Sequence, residues 1–444
     1  MSALDPAVSH LLHSWMPHQR WYPAKGRGVG LSHVGGMPLE DPAGDVAIEV
    51  HLVALDSGDR TDVVQVPLTY RSGPLPGAGL ALVGEVDHPE LGHRWVYDGP
   101  HDPAYVAALL DALQVPPGRA LPTGAASTRV LSGEQSNTSV IVEPDGAGPL
   151  IVKVFRTLHP GANPDVEVLD ALSRQGCRQV PGVVGWLQGS WTAADGGDVT
   201  GHLAVATEFM AGSQDAWREA VAAVGAGRDF SPEAYGLGEA TAAVHVALAE
   251  AFGTTEVGEE QRSALVAGLR QRVAWARTAT DALDRFGDAL DHHSKALDGL
   301  RDVPPLQRVH GDYHLGQVLH SPERGWVLLD FEGEPLRPLA ERTRPDLALR
   351  DVAGMLRSFD YAARYTTVGS TDEDAVAAAD AWAATARDAF CAGYAAASGH
   401  DPREHEALLA ALELDKALYE VVYESRNRPD WLDVPLHAVA RLLT

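Results

Sequence analysis

Cysteine is nearly absent from this 444-residue chain, with only Cys177 and Cys391 present. They lie far apart and beside no paired histidines, which excludes a disulfide framework and a thiolate zinc site. Each reads as a small buried apolar residue. Positive charge is also scarce: 35 Lys and Arg face 61 Asp and Glu, a net charge of −26. A nucleic-acid binder needs a basic surface to displace counterions, so that class is excluded. No apolar run approaches about 18 residues, so no membrane span is expected. The opening MSALDPAVSHLLHSWMPHQRWY lacks the basic and apolar regions of a secretory signal. The expectation is a soluble, cytoplasmic protein. At this length, with 45% hydrophobic and 22% charged residues, the chain can build two or more cores.

The chemistry is concentrated in Arg308 to Glu334, RVHGDYHLGQVLHSPERGWVLLDFEGE. One short loop carries His310, Asp312, His314 and Gln317; an apolar strand, Val327 to Leu329, then ends in Asp330-Phe331-Glu332. Phosphoryl transfer to a hydroxyl needs a carboxylate to receive the acceptor's proton and oxygen ligands that hold magnesium against the phosphates. Asp312, Gln317 and Asp330 are groups of those types in that order, and hard oxygen ligands suit magnesium over zinc.

This segment resembles the catalytic and metal-binding parts of the aminoglycoside-phosphotransferase and eukaryotic-type kinase superfamily. More narrowly, HGDYHLGQVL, LLDFEGEP and LRDVAGMLRSFDYAA resemble bacterial maltokinases. The resemblance implies an α+β, two-lobed kinase-like fold: an N-terminal lobe with an extra sheet-plus-helix cap, then a mostly helical C-terminal lobe. It implies transfer of the γ-phosphoryl of ATP, with Mg2+, to the anomeric hydroxyl of maltose, giving maltose 1-phosphate for α-glucan (glycogen) synthesis. Trehalose synthase, as a separate chain, is the partner it implies.

In chain order, residues 8–22 have the spacing of an amphipathic helix, and alternating apolar residues predict strands over Val46–Leu55 and Val63–Tyr70. Residues 1–90 read as the cap. Residues 91–210 read as the nucleotide-binding part, and 211–444 as the helical part with the catalytic loop and acceptor site. Val130 to Val142 reads as strand, polar loop, strand, followed by a strand from Leu150 to Phe155 that contains Lys153. A lysine in an apolar strand is costly to bury unless its ammonium meets an anion. In kinase-like folds that anion is a nucleotide phosphate, and a helix glutamate is the lysine's other partner, a position that falls to Glu167.

The resemblance assigns further roles. Ser136, Asn137 and Thr138, in the loop Ser132 to Ser139, are implied phosphate contacts. Backbone groups near Glu208 to Met210 are placed at the adenine. Asp312 is the catalytic base, Gln317 and Asp330 are the metal ligands, and Asp351 braces the catalytic loop. His310 and His314 hold loop geometry or touch substrate, and Glu332 and Glu334 contact metal or sugar or are merely solvated. Near the C-terminus, the segment Tyr419 to Trp431, with Tyr423, Glu424, Arg426 and Trp431, offers charge and aromatic faces of the kind sugars need.

Other readings remain open at this point. A glucosamine or aminoglycoside kinase of the same fold would want an acidic pocket for a cationic acceptor. A kinase-like regulatory subunit is a further alternative, although Lys153, Asp312, Gln317 and Asp330 are all retained. His310, His314 and His320 invite a metallohydrolase reading, but no HExxH occurs and Lys153 would go unexplained.

Overall fold

The computed structural model describes residues 4–58, 60–121, 127–131, 136–334, 339–370 and 372–443. It divides into two compact units: Met1–Asp170 with Pro181–Ala211, and Ala171–Val180 with Gly212–Thr444.

The first unit is built on an 11-stranded sheet. Its strands are β1 (Gly30–Leu39), β2 (Ala47–Asp56), β3 (Thr61–Arg71), β4 (Leu82–His88), β5 (Gly92–Asp98), β6 (Ser127–Val130), β7 (Asn137–Glu143), β8 (Leu150–Phe155), β9 (Thr157–Leu158), β10 (Val183–Thr192) and β11 (Asp198–Glu208). Their order is β4-β5-β3-β2-β1-β10-β11-β8-β7-β6, with β9 added to β3. Helices α1 (Pro6–Trp15) and α2 (Pro103–Asp111) accompany them, with the part of α3 (Pro164–Arg174) up to Asp170. One sheet thus runs through both the cap segment and the nucleotide-binding segment read from the sequence.

Asp5 caps α1 by accepting from Ala7 N and Val8 N, and Pro6 occupies the first turn, where a missing N–H costs nothing. The helix ends at Trp15, not Tyr22, because Pro17 follows and the chain tightens into a 3₁₀ turn over Met16–His18. Val8, Leu12, Met16 and Trp21 pack with Val53, Val64, Val66, Leu68 and Tyr70 in one core. Full burial of each such side chain contributes about 1.5–3 kcal/mol. Two buried polar side chains stitch the cap strands to their neighbours. The Gln65 amide donates to Phe155 O (2.8 Å) and Leu203 O (2.9 Å). The guanidinium of Arg156 is fully buried, holds both Asp98 oxygens at 2.8 and 2.6 Å, and lies 4.8 Å from the Trp21 ring centre.

The second unit is mainly helical: α4 (Ala216–Gly225), α5 (Ser231–Phe252), α6 (Glu259–Ala279), α7 (Gly287–Ala296), α8 (Leu339–Arg342), α9 (Ala348–Tyr365), α10 (Glu373–Ser398), α11 (Glu406–Asn427) and α12 (Asp433–Leu442). Its strands are short: β12 (Gln214–Asp215), β13 (Thr254–Thr255), β14 (Leu306–Gln307), β15 (Val318–Ser321) and β16 (Gly325–Leu328). Helices α5 and α10 pack backbone to backbone. A Cβ at Gly238 would lie 2.1 Å from Phe390 O, and one at Gly393 would lie 1.9 Å from Tyr235 O, so only glycine allows the approach. Helix α9 is buried from Leu349 to Phe359 except Arg350, and β12, β15 and β16 form the sheet from which the loop carrying Asp312 projects. None of the described helices is long and apolar enough to cross a membrane.

Candidate active site

In the first unit, Lys153 stands on β8 opposite Ser139 of β7 and Val205 of β11. Its Nζ lies 3.2 Å from Asp165 Oδ2, with both side chains largely buried. Asp165 opens α3, where its own N–H donates to Asn163 Oδ1 at 2.9 Å. Glu167 is half-buried two residues further along the same helix. Asp165 is a partner of Lys153 that the sequence reading did not single out; it lies between Pro164 and Val166 in the first turn of α3.

Of the loop Ser132 to Ser139, residues 132–135 lie outside the described residues. Asn137 Nδ2 reaches Ser136 Oγ at 3.5 Å on an exposed edge. Thr138 corrects the expectation of three adjacent phosphate contacts. Strand alternation turns it to the face opposite Asn137, where its buried hydroxyl accepts from Arg156 Nε at 2.9 Å. At the end of β11, Glu208 accepts from Gly182 N at 3.0 Å and faces Arg119 at 3.8 Å. The Phe209 N–H is bonded to Pro149 O, and Met210 is half-buried.

In the second unit, Asp351 on α9 fixes the loop. Its carboxylate accepts from His310 N at 2.7 Å and Gly311 N at 2.9 Å, and meets His245 Nε2 at 3.1 Å. Burial alone would raise the Asp351 pKa. The His245 bond, the nearby histidines and the Gly311 N–H instead hold it below the ordinary aspartate value. His310 Nε2 lies 2.7 Å from Leu329 O. A carbonyl only accepts, so Nε2 carries the proton and Nδ1 is left to accept the Asp312 N–H at 3.4 Å. His314 Nδ1 accepts from Gly316 N at 3.0 Å, and burial draws its pKa down. His320 bonds Glu219 at 3.0 Å and stacks on Trp326. Of the three histidines of the metallohydrolase reading, His320 thus turns to Glu219 and Trp326, while His310 and His314 are held by backbone groups of the Arg308 to Glu334 segment itself.

Gln317 and Asp330 come together across the β15–β16 hairpin, with Gln317 Nε2 3.2 Å from Asp330 Oδ2. Asp330 takes a left-handed backbone (φ 63°), which turns the chain sharply after β16. Such conformations cost about 1–3 kcal/mol and concentrate at functional sites. Glu332 is half-buried, and its carbonyl accepts from Arg342 Nη1 at 3.4 Å.

Beside Asp312 opens a pocket lined by Gly333, Glu334, Arg342, Lys416 and Tyr419, among others. Lys416 Nζ sits 3.2 Å from Glu334 Oε1 and 3.6 Å from Asp312 Oδ1. Burial pulls this ammonium's pKa down, but Glu334, Asp312 and Glu420 outweigh it and keep it above the ordinary lysine value. Tyr419 stacks between Trp275 (centroids 6.4 Å, 19°) and Tyr423 (6.4 Å, 24°), forming an aromatic row that leads away from the pocket.

The remaining C-terminal candidates fall elsewhere. Glu424 is 1% exposed; it accepts from Tyr361 OH at 3.2 Å and from Arg428 at 2.5 and 2.9 Å, which occupies both its oxygens. Trp431 packs on Tyr365 at 5.5 Å. Arg426 is exposed. Of the acceptor segment read from the sequence, Tyr419 to Trp431, Tyr419 lines the pocket; Lys416, three residues before it, lies outside that segment and lines the pocket too. The available signal was a single lysine among the carboxylates and apolar residues of LELDKALYE.

These features define a kinase-like phosphotransferase, and comparison with known proteins agrees. Residues 127–408 match the phosphotransferase enzyme family, and residues 15–102 match the maltokinase N-terminal cap domain. The chain is 30% identical over 400 residues to a glucosamine kinase of Mycolicibacterium smegmatis, covering 83% of this chain and 94% of that protein. It is 29% identical to a glucosamine kinase of Streptacidiphilus jiangxiensis, covering 72% and 75%. A solved glucosamine kinase, in complex with glucosamine, ADP and inorganic phosphate, superposes over 100% of both chains with a TM-score of 0.68 at 26% identity. The chain belongs to the phosphotransferase enzyme family and has that family's α+β kinase-like fold with an N-terminal cap.

Proposed function

We propose that this protein is an ATP-dependent sugar kinase that phosphorylates a sugar hydroxyl presented to Asp312. The observation that carries the reading is the pocket at Asp312: a carboxylate on a loop braced by Asp351, opening onto Tyr419 and charged hydrogen-bonding groups. The acceptor oxygen attacks the γ-phosphorus, the bond to the β–γ bridging oxygen breaks, ADP leaves, and the acceptor's proton passes to the Asp312 carboxylate. An aspartate suits this role because the transition state is loose and the proton moves late. Lys153 would neutralise charge on the nucleotide phosphates. The oxygens of Gln317 and Asp330 are the hard donors magnesium prefers, so these residues fit the ion. When bound, magnesium offsets the charge on the phosphate oxygens.

Two acceptors have separate support. Glucosamine is supported by the named relatives, which share up to 30% identity over 83% of this chain; on the comparisons this is the better-supported acceptor. Maltose is supported by the match of residues 15–102 to the maltokinase cap. It is also supported by Lys416, whose ammonium offsets the negative charge that a cationic acceptor would seek. A trehalose synthase partner follows only from the maltose reading. The test is a coupled ADP-release assay with Mg-ATP against glucosamine, maltose, glucose, trehalose and kanamycin, with phosphate positions read by NMR. Turnover with one of the sugars supports the reading, and its identity selects the acceptor. Absence of turnover across the panel, with ATP still bound, contradicts it.

A further inference from the structure

We infer that Lys416 is a positioning residue that sets both the orientation of Asp312 and the acceptor charge the pocket tolerates; this rests on the sugar-kinase reading above. Lys416 projects from α11 into the pocket, 104 positions along the sequence from Asp312 (416 against 312), so the contact is a product of the tertiary fold. Its ammonium hydrogen-bonds Glu334 at 3.2 Å. At 3.6 Å from Asp312 Oδ1 the contact is an ion pair without a hydrogen bond. The geometry is asymmetric in a useful way: the ammonium is anchored on Glu334 and exerts its charge on Asp312 without donating to it. Asp312 thereby keeps its acceptor capacity toward an incoming hydroxyl.

The ammonium also faces an aromatic ring. Nζ lies 5.9 Å from the centroid of the Tyr419 ring, three residues along the same helix, and the Lys416 side chain is 29% exposed. A solvated surface lysine has neither restraint.

Two consequences follow from charge. The ammonium attracts the Asp312 carboxylate toward α11, which selects one rotamer in place of several. A cationic acceptor must also share Asp312 and Glu334 with a cation already there, whereas a neutral sugar meets carboxylates whose charge is offset. Lys416 and Glu334 therefore push acceptor choice in opposite directions.

The test uses the full-length enzyme with Mg-ATP, comparing glucose with glucosamine at a pH where the amine is charged, alongside the preferred acceptor. Lys416→Met is expected to lower kcat for the preferred acceptor by about 10- to 100-fold. It should also raise the glucosamine-to-glucose ratio of kcat/KM by about tenfold, the scale of one removed like charge at this separation. Lys416→Arg should restore most of both. Glu334→Gln, which removes the anchoring carboxylate, should move the ratio the other way. A lysine that served only stability would lower the melting temperature and leave the glucosamine-to-glucose ratio unchanged. Equal ratios in wild type, Lys416→Met and Glu334→Gln, with folding confirmed by thermal melts, would overturn the proposal. If wild type turns over no acceptor, the sugar-kinase reading falls first and this inference with it.

Discussion

His245 and Asp351 lie 106 residues apart in sequence and 3.1 Å apart in the fold, buried side by side on α5 and α9. His245 is fixed from its other nitrogen by Tyr394 OH at 2.9 Å, and Asp351 passes that rigidity to the backbone of His310 and Gly311. A stability-bearing pair thus sets the position of the loop that carries Asp312.

Replacing Asp351 with Asn keeps its size but removes the charge and one acceptor oxygen. The expected loss is about 3 kcal/mol, the scale of breaking a buried charged pair, together with most of the activity. Urea unfolding checks the first and ADP release the second. The carboxyl's folded pKa is depressed. Its contribution is therefore complete above the ordinary aspartate pKa and is lost as pH falls through that value toward the folded one.

Lys153→Ala is expected to weaken nucleotide binding by about 10- to 100-fold, the equivalent of one charge-assisted contact. Calorimetric titration with ATP or ADP measures it. Unchanged affinity would reduce Lys153 to a structural partner of Asp165.

Arg357 is 1% exposed, with Nη2 2.7 Å from Glu420 and Nη1 2.5 Å from Asp360. Arg357→Met would leave the largely buried Glu420 without its guanidinium partner, while Asp360 keeps Arg387 and Arg441. A loss of about 3–5 kcal/mol is expected from chemical denaturation. A loss below about 1 kcal/mol would mean the remaining arginines re-pair the site.

In the cap, burial, with His33 and His88 adding to it, draws the His51 pKa down to about 3. The neutral imidazole bonds Tyr70 OH at 2.9 Å. A histidine depressed from about 6.5 stabilises the fold above that value, and the contribution is lost progressively as pH falls toward about 3. His51→Gln should flatten the decline of stability between neutral pH and about pH 4. An unchanged slope in urea unfolding against pH would place His51 in contact with water.

How much of this was legible in the sequence depended on whether the deciding interaction was local. Strand β8 has the bounds read from alternation, because Leu150 to Phe155 is uninterrupted and a turn precedes it. Strand β1 was not seen: GLSHVGGMPL carries Gly35, Gly36 and Pro38, which weaken any strand signal, and its pairing with β2 and β10 overrides propensity. The loop carrying Asp312 and the strand after it were legible because their residues are contiguous, whereas β15, which pairs with that strand, was not read. Asp165, Lys416 and the stacked Trp275–Tyr419 pair were not, since each acquires its role from a partner distant in sequence or from packing. Thr138 shows the limit of reading a loop by composition alone: one step of alternation commits its hydroxyl to Arg156.

The most direct test of the central claim compares wild type with Asp312→Asn for nucleotide binding and for acceptor-dependent ADP release, using glucosamine and maltose. Asp312→Asn should bind ATP with affinity within about threefold of wild type while losing at least about a hundredfold in kcat. Turnover close to the wild-type rate would remove Asp312 from the chemistry and contradict the assignment of this pocket as the phosphoryl-acceptor site.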